Sequence, residues 1–248
     1  MAMNNRLMRP RQTSQFAALR NGLVAYWPLN ETAASGDITA ANWVKGGLDM
    51  TSENSVLSTA GLYGNARRFV SANSERMLGN ATASTTLFGT ADFTVSFWFQ
   101  PTSAYVSGLS GLVSNDFFST ERGVSIYTTD NGAGNWSAPY LYLPYTDGSE
   151  ETYVPHAGTA NVNVWNFCCY RLSGGTTLDA RFNASNATSK TITKSFHATR
   201  QRLFFGVRYS AADFWNGDLD EVAFWNRRLS DAEVDKLYNN GVGIDLRK

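Results

Sequence analysis

The chain has 248 residues, 43% of them hydrophobic and 17% charged, and its 15 Phe, 11 Tyr and 7 Trp supply ample material for a packed core, which excludes disorder throughout. Twenty-one basic residues balance twenty-one acidic ones, so the formal charge is zero, and a protein that coats nucleic acid by neutralising phosphates is excluded. No apolar run approaches the roughly 18 residues of a membrane helix, and the amino terminus lacks the charged-then-apolar layout of an export signal, so a soluble protein without membrane insertion is expected.

The first thirty residues carry Arg6, Arg9, Arg11 and Arg20 and no acidic residue before Glu31, which gives a basic arm of +4 against −4 for everything after it. Pro10 and several polar residues interrupt any apolar pattern up to Gln15. Residues 1–22 are therefore read as an extended arm and residues 23–248 as one folded domain. From Leu23 the texture changes to short apolar-aromatic runs between Gly, Asn, Ser and Asp clusters, the pattern of many antiparallel strands. The predicted strands are Leu23–Leu29, Phe93–Phe99, Gly123–Thr129, Tyr140–Tyr145, Val162–Leu172, Thr177–Phe182, Leu203–Tyr209 and Leu219–Trp225. In the clearest, Phe93, Val95, Phe97 and Phe99 share one face, and Thr94, Ser96 and Trp98 share the other. Ser173-Gly174-Gly175 joins two runs as a tight hairpin turn.

Near the end, Ser230-Asp-Ala-Glu233 forms a capping box that opens a short helix. Val234, Leu237 and Tyr238 lie on one stripe of it, and Asn239-Asn240-Gly241 supplies a left-handed stop. The cysteines, Cys168 and Cys169, are adjacent. Their Cα atoms are about 3.8 Å apart, too close for an unstrained disulfide, so both are read as free, buried thiols pointing to opposite sheet faces. Five Asn-x-Ser/Thr sequons, at Asn30, Asn80, Asn135, Asn183 and Asn186, are about as many as chance supplies here and carry no weight.

Four blocks in order carry a family resemblance: Leu23-Val-Ala-Tyr-Trp-Pro-Leu-Asn-Glu31; Gly61-Leu-Tyr-Gly64 leading to Arg68-Phe69; Phe93 to Pro101; and Trp215-Asn-Gly-Asp-Leu-Asp-Glu-Val-Ala-Phe-Trp-Asn-Arg-Arg-Leu-Ser230 with its helix. Over roughly residues 22 to 243 the chain resembles the laminin-G-like, concanavalin A-like jelly-roll family, and its last block is similar to the closing motif of pentraxins. The resemblance implies an all-β concanavalin A-like (laminin-G-like) jelly-roll β-sandwich with a short C-terminal helix and an extended basic N-terminal arm. This superfold hosts lectins, glycan hydrolases, adhesion modules and virion proteins, so function has to come from a site.

Asp218 and Asp220 fall on one strand face, and glycosidases need two carboxylates roughly 5 to 9 Å apart. Hydrolases on this jelly roll typically carry a Glu-x-Asp-x-x-Glu strand, whereas Asp218-Leu-Asp-Glu-Val-Ala-Phe lacks both outer glutamates. His156 and His197 stand in turn-like or polar surroundings with no nucleophile signature nearby. No catalytic residue is expected, and the protein is read as a non-enzyme. The resemblance also implies calcium on loop carboxylates, with Asp116, Asp147 and Asp213 as first candidates and Asp130 and Asp218 beside them. No EF-hand spacing ties these together, so turn-forming aspartates and no cofactor are the plainer expectation. Trp43, Trp136 and Trp215 lie in Gly/Asn-rich loop contexts and are candidate glycan or interface contacts.

The arm, followed by a laminin-G-like jelly roll, also resembles a class of tailed-bacteriophage structural proteins. That resemblance implies a non-enzymatic virion protein, assembled in the host cytoplasm and displayed on a capsid or tail surface. It would be anchored through Arg6, Arg9, Arg11 and Arg20 on neighbouring virion subunits, form a homo-oligomer, and decorate the shell or grip host-surface glycans. A stand-alone carbohydrate-binding lectin, with or without calcium, is the alternative, and a glycan hydrolase the third.

Overall fold

The structure, a computed structural model, describes residues 16–46, 48–79, 87–88, 92–105, 108–115, 123–153, 158–186, 188–195, 202–209 and 212–248. Two eight-stranded antiparallel sheets pack face to face. The first, here the helix-side sheet, runs in the order Thr188–Thr191, Thr177–Phe182, Asn166–Ser173, Phe93–Pro101, Gly217–Trp225, Asn65–Phe69 and Leu57–Ala60, with Leu23–Trp27 also pairing to Gly217–Trp225. The opposite sheet runs Glu150–Tyr153, Tyr140–Pro144, Ser125–Thr128, Ser110–Ser114, Phe204–Phe205, Arg76–Gly79, Met50–Glu53 and Thr39–Ala40. This is the expected jelly-roll sandwich.

The strand Phe93–Pro101 lies centrally and is buried on both faces. Phe93, Val95, Phe97 and Phe99 enter the core between the sheets, while Trp98 joins a second apolar cluster on the other face. Cys168 and Cys169 split the same way, one into each cluster. A helix over Asp231–Tyr238, preceded in the chain by a four-residue helix over Ala17–Arg20, covers the second face; in chain order these are α2 and α1. In α2 both halves of the capping box are made: the Glu233 N–H donates to Ser230 Oγ at 3.3 Å, and the Ser230 N–H donates to Glu233 Oε2 at 2.8 Å. Such a cap contributes about 1 kcal/mol. Val234 and Leu237 then bury against Trp98, Phe167 and Cys169. Asn239, Asn240 and Gly241 stop the helix with φ of 45°, 53° and 89°.

Residues 16–22, assigned to the arm from sequence, are part of the body. Leu19 is buried, the Trp225 indole N–H donates to its carbonyl at 2.6 Å, and Arg20 Nε donates to the Leu246 carbonyl at 2.7 Å. The two end segments of the described chain therefore clasp each other beside Trp225.

Gly217–Trp225 breaks alternation once. Leu219, Val222 and Phe224 all face the inter-sheet core, which leaves Asp220 and Glu221 together on the other side. Glu221 absorbs this bulge with φ 51°, and the strand's neighbour changes here from Asn65–Phe69 to Leu23–Trp27. The run predicted over Leu203–Tyr209 is likewise two strands, Phe204–Phe205 and Val207–Tyr209. Between them Gly206 takes φ 79°, and a Cβ there would stand 2.2 Å from the Phe69 ring.

Candidate functional site

The carboxylates singled out in the last strand are engaged by the chain itself. Asp218 is fully buried and held in a two-pronged ion pair by Arg68, Nε to Oδ1 and Nη2 to Oδ2, each at 2.7 Å. Asp220 accepts the Leu62 N–H on Oδ2 and the Glu221 N–H on Oδ1, both at 2.8 Å. Glu221 receives the Tyr26 hydroxyl, which also reaches Asp245 at 3.4 Å. Burial pushes Asp220 up to about 8 and Glu221 well above the usual carboxylate range, because an ionised carboxylate loses its hydration there.

The cavity of interest lies at the Asn216 end of that strand and measures about 340 Å³. Its walls come from four separated segments. Trp136 follows a turn in which Asp130 Oδ1 accepts the N–H groups of Gly132 and Gly134 at 3.0 and 2.8 Å. The Trp136 indole N–H donates to the Ser103 carbonyl at 2.7 Å, and its ring packs edge-on against Tyr105 and Trp215. Asn216 donates from Nδ2 to Ser103 Oγ at 2.9 Å, and Ser71, Ser110 and Leu109 complete this side.

The other wall is a hairpin, Val207–Tyr209 with Ala212–Phe214, which lies across Ser110–Ser114. The crossing is close enough that a Cβ on Gly111 would stand 1.9 Å from the Arg208 nitrogen. Arg208 rests over the rings of Tyr127 and Tyr142 at 4.5 and 5.0 Å. Its Nη1 is 3.8 Å from Asp213, which has φ 62° and lines the cavity beside Phe214. Burial raises the Asp213 carboxyl above its ordinary value, against the opposing charge of Arg208. The cavity thus combines aromatic rings, hydroxyls, an amide and one carboxylate, the set of groups that polyhydroxylated ligands use.

The residues expected from sequence are dispersed. Trp43 is 42% exposed, edge-on to Tyr26 and under the Arg20 guanidinium at 5.2 Å. Trp136 and Trp215, candidate contacts from their loop contexts, are buried, at 3% and 0%: the loops turn, but the indoles fold back over the core. Of the two, only Trp136 lines the cavity. Arg20 bonds within its own chain, and Arg6, Arg9, Arg11, Asp116, His156 and His197 lie outside the described residues. Asp147 accepts the Ser149 N–H at 3.0 Å and pairs with Lys194 at 2.9 Å. Among the described residues no three His, Cys, Asp or Glu side chains form a group that could hold a metal. Phe214, Asn216, Ser71 and Ser103 were not singled out from sequence, since nothing local marks four segments that meet only in the fold.

A sequence profile described as the concanavalin A-like lectin/glucanases superfamily matches residues 78–235, more than half of the chain. The chain belongs to this superfamily. No curated protein matches it in sequence. Solved structures similar to this superfamily member include the binding domain of Paraclostridial Mosquitocidal Protein 1, with TM-score 0.69 and 17% identity over 90% of this chain and 53% of that one. The binding domain of botulinum neurotoxin DC, solved in complex with SialylT, has TM-score 0.63 and 12% identity over 89% of this chain and 52% of that one. Domain 4 of AbnA, a GH43 extracellular arabinanase from Geobacillus stearothermophilus in complex with arabinotriose, has TM-score 0.62 and 13% identity over 90% and 98%. The chain spans about half the length of the toxin binding domains. At these identities the likeness concerns the fold alone.

Proposed function

We propose that this chain is a non-enzymatic carbohydrate-binding module whose glycan site is the cavity between Trp136 and the hairpin bearing Asp213 and Phe214. The observation that carries this reading is the lining itself: aromatic rings for sugar C–H faces, with Ser71, Ser103, Asn216 and Asp213 for hydroxyls. Superfamily membership and a similar domain whose structure is in complex with arabinotriose support it. The engagement of Asp218 and Asp220 by Arg68 and by backbone N–H groups supports the non-enzymatic part. A glycan array followed by calorimetry, with and without chelator, is the test. Saturable binding that Phe214→Ala and Asn216→Ala each weaken about ten-fold or more is expected; no saturable binding on a broad array overturns the reading.

The finer part of the proposal is display on a virion, capsid or tail, with neighbouring virion subunits as partners. Its support is the placement of the two ends: α1 and the Leu246 segment meet beside Trp225, whereas the cavity adjoins Asn216, about 25 Å away along the strand. A module so built can be tethered at one end and present its cavity at the other. Co-sedimentation with particles of the natural source separates the cases. The full chain should travel with the particle and a chain beginning at Phe16 should not, and equal behaviour of the two would remove the anchoring arm.

A further inference from the structure

We infer that the cavity selects uncharged or amino-bearing sugars and turns away sugars that carry a carboxylate or sulfate. The inference rests on the glycan reading of the cavity and names its ligand class. Of the described residues lining the cavity, Asp213 alone carries a charge; its companions Ser71, Ser103, Ser110, Asn216, Trp136 and Phe214 are neutral.

Arg208, the nearest cation, lies over Tyr127 and Tyr142 and forms an ion pair with Asp213 at 3.8 Å, too long for a hydrogen bond, so it takes up none of the carboxylate's acceptor sites. Among the described residues the Asp213 side chain makes no hydrogen bond, and it lines the cavity, so its acceptor capacity is open to a ligand there. The backbone that presents it has φ 62°, a conformation few non-glycine residues adopt. A carboxylate with open lone pairs in a partly desolvated cavity accepts a hydroxyl or an ammonium in a strong charge-assisted bond and repels a second anion. Arg and Lys side chains, the usual partners of anionic sugars, are missing from the described lining.

The test is a panel of immobilised neutral oligosaccharides, glucosamine-bearing oligosaccharides, and sialylated, uronate and sulfated glycans. It is read with the wild-type chain, with Asp213→Asn, which tolerates the left-handed backbone, and with Asp213→Gly, which relieves it. The expected wild-type result is binding in the neutral or amino classes and binding to the anionic class about ten-fold weaker or more. In either variant the ratio of anionic to neutral binding should rise about ten-fold, and amino-sugar binding should fall about as much. Wild-type preference for an anionic class overturns this inference and leaves the glycan reading intact. Unchanged ratios in both folded variants also overturn it, and binding to no class removes the glycan reading together with it.

Discussion

The backbone of Arg208 crosses Gly111 so closely that a side chain at position 111 would meet the Arg208 nitrogen at 1.9 Å. The absence of a Cβ is thus the condition for the hairpin to lie against the sheet and bring Asp213 and Phe214 to the cavity. Gly111→Ala should lift the hairpin at a cost of about 1–3 kcal/mol. In a chain of this size that lowers Tm by about 2–10 °C, measurable by thermal unfolding. Glycan binding should fall further than stability does, and an unchanged Tm with unchanged binding would show that the hairpin does not depend on Gly111.

Where the body begins is also measurable. A chain starting at Phe16 keeps Leu19 in its pocket and the Trp225 indole bonded to the Leu19 carbonyl. A chain starting at Leu23 loses both, together with the bonds from Arg227 to the carbonyls of Ala18 and Asn21. Emptying the Leu19 site and orphaning a buried indole N–H should cost about 3–5 kcal/mol, or about 10 °C in Tm. Equal melting of the two chains would place residues 16–22 outside the cooperative unit.

The buried carboxylates at the bulge give stability a pH slope. Burial lifts Asp220 to about 8 and Glu221 well above the usual carboxylate range, so the folded chain keeps protons that the unfolded chain releases near pH 4. Their contribution is fully present below pH 4 and is lost as pH rises toward 8. Glu233, drawn down to about 2 chiefly by Arg227, acts oppositely: its contribution is present above about pH 4.5 and is lost as pH falls through 2. Tm followed across pH 3 to 9 should therefore decline on the alkaline side, and Glu221→Gln should flatten that decline. A wild-type profile with no alkaline slope would contradict the assignment.

Cys168 and Cys169 should stay unmodified by alkylating reagents in the native chain and react once it is unfolded. Both are buried, and burial pushes the Cys169 thiol up to about 12 and Cys168 well above its ordinary value, so little thiolate exists at neutral pH. Mass spectrometry after timed alkylation reads this directly; rapid native labelling of either would overturn it.

Much of the architecture was legible in the sequence where alternation was strong. Phe93–Phe99, Thr177–Phe182 and the Ser230 cap lie where their patterns put them, since each side chain there carries its own instruction about which face is buried. Arg76–Gly79 and Met50–Glu53 were missed because short strands with polar outward residues resemble loops in one dimension. The Glu221 bulge has no local mark, a glutamate with positive φ being dictated by the need to realign Val222 and Phe224 with the core. Loop composition around Trp136 and Trp215 reported that the chain turns and was silent about where an indole goes. The cavity was invisible for the related reason that Ser71, Ser103, Trp136 and Asp213 meet only after both sheets have formed.

The clasp between Arg20 and Leu246 beside Trp225 has a mechanical meaning. A load applied at the cavity and resisted through α1 runs lengthwise down Gly217–Trp225, the strand that carries Phe93–Pro101 on one flank and two shorter strands on the other. Its interstrand hydrogen bonds lie across that direction, so they share the tension side by side instead of parting one after another. Pulling on the two ends of the chain against each other would instead peel α1 and the Leu246 segment from the body first, leaving the sandwich behind them unstrained.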